Sequence, residues 1–144
     1  MSTELPILPH RDEIVTAILE SRRLVVSAPT GSGKSTQLPQ MLLDSGEFPG
    51  QIIVLEPRRL AARMLARRVA DERGGGVGEE VGYRVRFDAQ ASSATRIVYV
   101  TEGLLLRRML SQPDLPDVSA LVFDEFHERS LEVDLTLALA KRVA

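Results

Sequence analysis

Residues 24–35 run Leu24-Val25-Val26-Ser27-Ala28-Pro29-Thr30-Gly31-Ser32-Gly33-Lys34-Ser35, an apolar run that breaks into a glycine loop and closes on a lysine and a serine. The apolar residues have the length and composition of a short buried strand, and the glycines mark a turn. A helix is expected from residue 33 or 34 to about 45, where Gly46 stops it. Strand, glycine loop and helix in that order turn successive backbone N–H groups toward one point, where the helix N-terminus adds partial positive charge. This is the P-loop pattern with Ala28 in place of its first glycine and Gly33-Lys34-Ser35 intact. Such a loop cradles phosphate oxygens. Lys34 is expected to reach the β- and γ-phosphates of a nucleotide, and the Ser35 hydroxyl to ligate Mg²⁺. Pro39 is an irregularity in the helix that follows, because a proline past the first turn removes a helical hydrogen bond and usually bends the helix.

The rest of the chain repeats the alternation of strand and helix. Upstream, Ile14, Ala17 and Ile18 recur at helical spacing, so residues 11–22 read as a short amphipathic helix. Downstream, Ile52-Ile53-Val54-Leu55 has the length of a strand buried on both faces, and residues 59–73 follow with Leu60, Met64, Leu65 and Val69 at helical spacing. Gly74-Gly75-Gly76 and Gly78 mark a loop. Residues 81–87 and 97–100 read as two more strands, 102–110 as a helix ended by Pro113 and Pro116, 120–123 as another buried strand, and 131–143 as a closing helix. The expected fold is therefore α/β, a mainly parallel sheet flanked by helices. Ligands of such sheets bind beyond the carboxyl ends of the strands. Four polar clusters fall there, at residues 31–35, 56–59, 101–103 and 124–127, and all four are expected to line one edge.

Asp124-Glu125 directly follows the apolar run 120–123. An acidic residue ending a buried strand is the second half of a P-loop site: Asp124 would hold Mg²⁺ and Glu125 would orient or deprotonate an attacking water. Composition removes other chemistries. The 144 residues hold no cysteine and two histidines, His10 and His127, so disulfides, thiolate zinc sites and cysteine nucleophiles are absent. The start of the chain lacks the basic and apolar stretches of a secretory signal, and no apolar run approaches the ~20 residues that span a bilayer. A cytoplasmic protein without membrane contact is expected. Net charge is −2, yet five arginines crowd into one segment, Arg58, Arg59, Arg63, Arg67 and Arg68. That run is either a solvated helix face or a local patch for an anionic polymer.

With these residues in place, Asp124-Glu125-Phe126-His127-Glu128-Arg129-Ser130 resembles motif II of the DEAH-box helicases, with Phe126 where the name-giving alanine stands, a form similar to the bacterial HrpB-type branch. Four further blocks agree in order. Residues 28–40, Pro39 included, resemble motif I; Glu56-Pro57-Arg58-Arg59-Leu60-Ala61-Ala62 resembles motif Ia; Gly82-Tyr83-Arg84-Val85-Arg86-Phe87 resembles the next segment; and Thr101-Glu102-Gly103 resembles motif Ib. The likeness runs from about residue 5 to the end.

It implies that residues 1–144 are the first RecA-like P-loop NTPase domain of an ATP-dependent nucleic-acid helicase, with RNA, single-stranded, as the polymer. It further implies that Thr30, Gly31, Ser32, Gly33, Lys34, Ser35 and Thr36 bind ATP, that Ser35 and Asp124 hold Mg²⁺, and that Lys34 and Glu125 serve hydrolysis. His127 would couple nucleotide state to the neighbouring domain. Arg68, before Val69-Ala70, matches an arginine that stacks on the adenine, and Arg58, Arg59 and Thr101 match positions facing the nucleic-acid backbone. Motif III and a second RecA-like domain with its arginine fingers are expected beyond Ala144, so that these residues alone would be nearly inactive. Two other readings stand beside the helicase: a small P-loop kinase, which needs an acceptor pocket and a lid, and a non-catalytic module in which the nucleotide only shifts conformation.

Overall fold

The computed structural model describes residues 8–21 and 33–123. The expected strand at 24–26, the loop residues Thr30, Gly31 and Ser32, the motif II residues Asp124, Glu125 and His127, and the expected closing helix at 131–143 lie outside the described residues.

After a short 3-10 turn, Leu8–His10, the described elements are α1 (Arg11–Ser21), α2 (Lys34–Asp44), β1 (Gln51–Leu55), α3 (Arg59–Glu72), β2 (Val81–Val85), β3 (Asp88–Gln90), β4 (Ile97–Val100), α4 (Glu102–Ser111) and β5 (Val118–Phe123). The strands form one sheet in the order β3-β2-β4-β1-β5. β2, β4, β1 and β5 are mutually parallel, and β3 returns antiparallel along β2.

Alternation along the central strands builds a core on each face. Ile52 and Val54 of β1 join Ile97 and Tyr99 of β4, Val81, Tyr83 and Val85 of β2, and the buried side of α3. Ile53 and Leu55 join Val98 and Val100, Leu105 and Met109 of α4, and Leu115 on the opposite face. Burying each Ile, Leu or Val contributes ~1.5–3 kcal/mol, so the central pair β1 and β4 anchors both layers. The connection through α3 carries the chain from β1 to β2, and the connection through α4 carries it the other way, from β4 to β5. Opposite directions with helices on opposite faces are what a single crossover hand requires.

Three details differ from expectation. The strand expected to be buried over 120–123 is β5, which is half-buried along its whole length. The strand expected over 81–87 stops at Val85; Phe87 takes φ 65 and turns the chain into β3. A left-handed aromatic residue is uncommon, and Phe87 is 89% exposed at the hairpin tip. On α3 the buried residues are Ala62, Ala66, Val69 and Ala70, whereas Leu60 and Met64 are 66% and 62% exposed. Small side chains at i, i+4 and i+8 let this helix lie close on the sheet, and Leu60 and Met64 are left outside. Gly82 follows the same logic in β2, since a Cβ there would overlap the Gln90 carbonyl of β3.

Arg73 ties the sheet edge away from the strand carboxyl ends. Its guanidinium donates to both carboxylate oxygens of Asp44 at 2.8 and 3.1 Å, and its Nε to Glu80 at 2.5 Å. The hydrogen bond from Arg73 holds the Asp44 carboxyl below its usual value of 3.8. A depressed folded-state value means stability that is present above 3.8 and lost as pH falls through the folded-state value. Because Asp44 is partly exposed, the contribution is discounted for solvent screening. Arg73→Ala is expected to cost about 1–2 kcal/mol in urea unfolding at pH 7 and less at pH 3. An equal loss at both pH values would remove the ion pair as its cause.

Candidate functional site

The four parallel strands all point their carboxyl ends at one edge, and the sequence hangs its polar residues there. β1 runs into Glu56, Pro57, Arg58 and Arg59; β2 into Arg86 and Phe87; β4 into Thr101 and Glu102; and β5 stops at Phe123, the residue before Asp124. The clusters at 56–59 and 101–103 therefore share this edge as expected, and β5 delivers the chain to it.

Residues 33–36 of the expected phosphate loop lie at the start of α2. Gly33 is its N-cap with φ 92 and ψ 9, a left-handed conformation that costs glycine little, and no side chain caps the helix there. The first-turn N–H groups stand at the positive end of an 11-residue helix. Lys34 and Ser35 are half-buried in this turn and Thr36 is buried, its hydroxyl donating to the Gly33 carbonyl at 3.2 Å. A glycine N-cap, a lysine and a hydroxyl in the first turn suit a nucleotide's phosphates with their magnesium ion.

Arg68 is joined to this turn through side chains. The Gln37 amide donates to Glu72 at 2.8 Å and to the Thr36 hydroxyl at 3.2 Å, and the same Glu72 carboxylate lies 3.6 Å from Arg68 Nε. An exposed arginine is thereby carried beside the start of α2.

The other arginines of the crowded segment separate by role. Arg58 and Arg59 are exposed at the strand edge. Arg63 packs over the Tyr83 ring at 5.8 Å and against Asp88 at 3.5 Å, pinning α3 to the hairpin, and Arg67 is exposed. Thr101 is only 9% exposed and is the N-cap of α4, so it lines the floor of the edge more than its surface. Glu56, 2% exposed, and Glu102, one of whose carboxylate oxygens is buried without a partner, add acid beneath that floor.

Arg86 and Phe87 had no role assigned from sequence. The Arg86 guanidinium stacks over the Phe87 ring at 4.9 Å, and the pair projects from the hairpin tip at the same edge. The signal was present as an aromatic residue following an arginine at the end of a strand, but a turn there was not visible in an apparently continuous run.

The mostly parallel five-stranded sheet flanked by helices is that of a RecA-like helicase domain. A family model for DEAD/DEAH box helicase matches residues 8–139, and the chain belongs to that family. Among solved structures it is similar to a crystal structure of Escherichia coli DEAH/RHA helicase HrpB, with TM-score 0.92 and 46% identity over 96% of this chain and 18% of that one. It is similar also to a crystal structure of E. coli DExH-box NTPase HrpB, with TM-score 0.94 and 45% identity over 99% of this chain and 18% of that one. A probable ATP-dependent RNA helicase, DHR2, of Saccharomyces cerevisiae (strain ATCC 204508 / S288c) is 44% identical over 98% of this chain. The chain spans about a fifth of the length of these relatives. No helix among the described residues is long and apolar enough to cross a membrane.

Proposed function

We propose that this chain binds Mg-ATP as the first RecA-like domain of a cytoplasmic ATP-dependent RNA helicase, and that hydrolysis drives translocation along single-stranded RNA when a second RecA-like domain faces it. The observation that carries this is the uncapped start of α2, with Gly33 left-handed and Lys34, Ser35 and Thr36 in its first turn, on the edge that also presents Arg58 and Arg59.

In this reading the loop residues Thr30, Gly31, Ser32 and Gly33 wrap the phosphates with backbone N–H groups, and Lys34 donates to the β- and γ-phosphate oxygens. Ser35 and Asp124 would hold Mg²⁺, which would neutralise phosphate charge. Glu125 orients the attacking water and accepts its proton, and His127 carries the nucleotide state to the facing domain. Arg68 lies on the purine ring. Arg58, Arg59 and Thr101 hold the polymer by phosphate and sugar, which gives little sequence preference and strong salt dependence. Arg86 and Phe87 extend that path, because an exposed ring with a guanidinium on it is a stacking platform for bases.

Measured on the full-length protein, ATP hydrolysis is expected to rise on addition of RNA and to vanish in a Glu125→Gln variant. Hydrolysis that ignores RNA would leave the non-catalytic or kinase reading in place. Arg68 has its own signature. Stacking recognises a π face more than a hydrogen-bond pattern, so Arg68→Ala is expected to weaken ATP and GTP binding alike, by about three- to tenfold. A loss confined to ATP in calorimetry would point to a different base contact.

A further inference from the structure

Pro39 and Tyr99 answer each other across the core. In an α-helix the N–H of residue 39 would bond the carbonyl of residue 35, but a proline has no N–H. The Ser35 carbonyl in α2 therefore lacks its helical donor. The Tyr99 hydroxyl donates to that same carbonyl at 2.9 Å. Tyr99 is 0% exposed in the middle of the sheet, opposite Val54 of β1 and Tyr83 of β2, and stands two residues before Thr101. A partly buried acceptor left unmet is costly, so the proline and the tyrosine form one device.

We infer that Tyr99 is the positioning residue of Ser35, and that through it the phosphate-facing turn is referenced to strand β4 in place of its own helix. This rests on the reading of Ser35 as a phosphate and Mg²⁺ residue and of Thr101 as part of the nucleic-acid edge. An ordinary first turn moves with the helix that follows. Here the Ser35 carbonyl is held by a strand whose next turn of chain meets the polymer. A displacement of the β4 end on polymer binding reaches Ser35 through one ring, and the nucleotide can act back along the same route, as linkage demands.

The test is a cycle of Tyr99→Phe, Pro39→Ala and the pair together in the full-length protein, read by thermal melting without ligand and by Mg-ADP affinity with and without an oligouridine. Tyr99→Phe keeps the ring and removes only the hydroxyl; it is expected to lower the melting temperature and weaken Mg-ADP about five- to tenfold. Pro39→Ala restores the N–H at position 39, so the double variant is expected to regain both to within about twofold. Because the regained bond comes from the helix and not from β4, the change in Mg-ADP affinity caused by the oligouridine is expected to stay lost in the double variant. Unchanged affinity in Tyr99→Phe, no rescue by Pro39→Ala, or full coupling in the double variant would each overturn the inference. Ser35→Ala separates the two levels. If it leaves the Mg²⁺ dependence of binding intact, the assignment of Ser35 fails and the inference with it; if it abolishes that dependence while Tyr99→Phe changes nothing, only the inference fails.

Discussion

Joined to a second RecA-like domain, residues 1–144 are expected to turn over ATP in the presence of RNA ~10³- to 10⁵-fold faster than they do alone. The proposed site has the groups that seat a nucleotide and its metal, Lys34, Ser35 and Asp124, and one that orients water, Glu125. Charge that develops on the γ-phosphate in the transition state needs further cations, and an arginine supplied from a facing domain is worth that factor. A facing domain also excludes solvent, which strengthens every electrostatic contact in the site. Steady-state hydrolysis with and without oligouridine, on both forms and on their Glu125→Gln versions, measures the difference. Robust RNA-stimulated turnover by residues 1–144 alone, lost in Glu125→Gln, would sink the two-domain account and require the site to be completed by a second copy of the chain.

Lys34→Ala is expected to weaken Mg-ATP and Mg-ADP by about 10- to 100-fold, the scale of a lost charge-assisted hydrogen bond. Lys34 opens α2 beside a glycine N-cap, where its ammonium adds to the partial charge of the helix end. The half-buried setting reduces screening relative to a surface pair. Isothermal calorimetry at two salt concentrations is the check. Affinity unchanged by the substitution would falsify the P-loop assignment, whatever the fold.

What could be read in advance follows from where the signal sits. The runs 52–55 and 97–100 are apolar on both faces because their strands are covered on both faces, so they stand out without knowledge of their neighbours; the run 120–123 stands out the same way, although β5 is only half-buried. The start of α2 at Lys34 is equally legible, since the glycine turn ahead of it marks where the helix begins. The hairpin was hidden because β3 is polar and three residues long, and because the turn falls on Phe87, which reads as one more strand residue. The exposed placement of Leu60 and Met64 was hidden for another reason: hydrophobic periodicity weighs large residues, while close packing on a sheet selects the alanines at 62, 66 and 70. The roles of Arg63 and Arg73 depend on Asp88 and Asp44, partners distant in the chain, and no local pattern marks them. Pro39 was visible as an anomaly, but its answer in Tyr99 lies 60 positions away.

The three-residue β3 has a consequence for the company the molecule keeps. A long, flat strand at the margin of a sheet is an invitation to strangers, because its unused N–H and C=O groups template whatever extended chain arrives. This margin ends in a stub whose exposed residues include Ala89 and Gln90, and the hairpin bends away at Phe87. Copies of the chain crowded together would bring these margins into contact repeatedly, and at β3 they would find too short a ladder to fuse into fibrils.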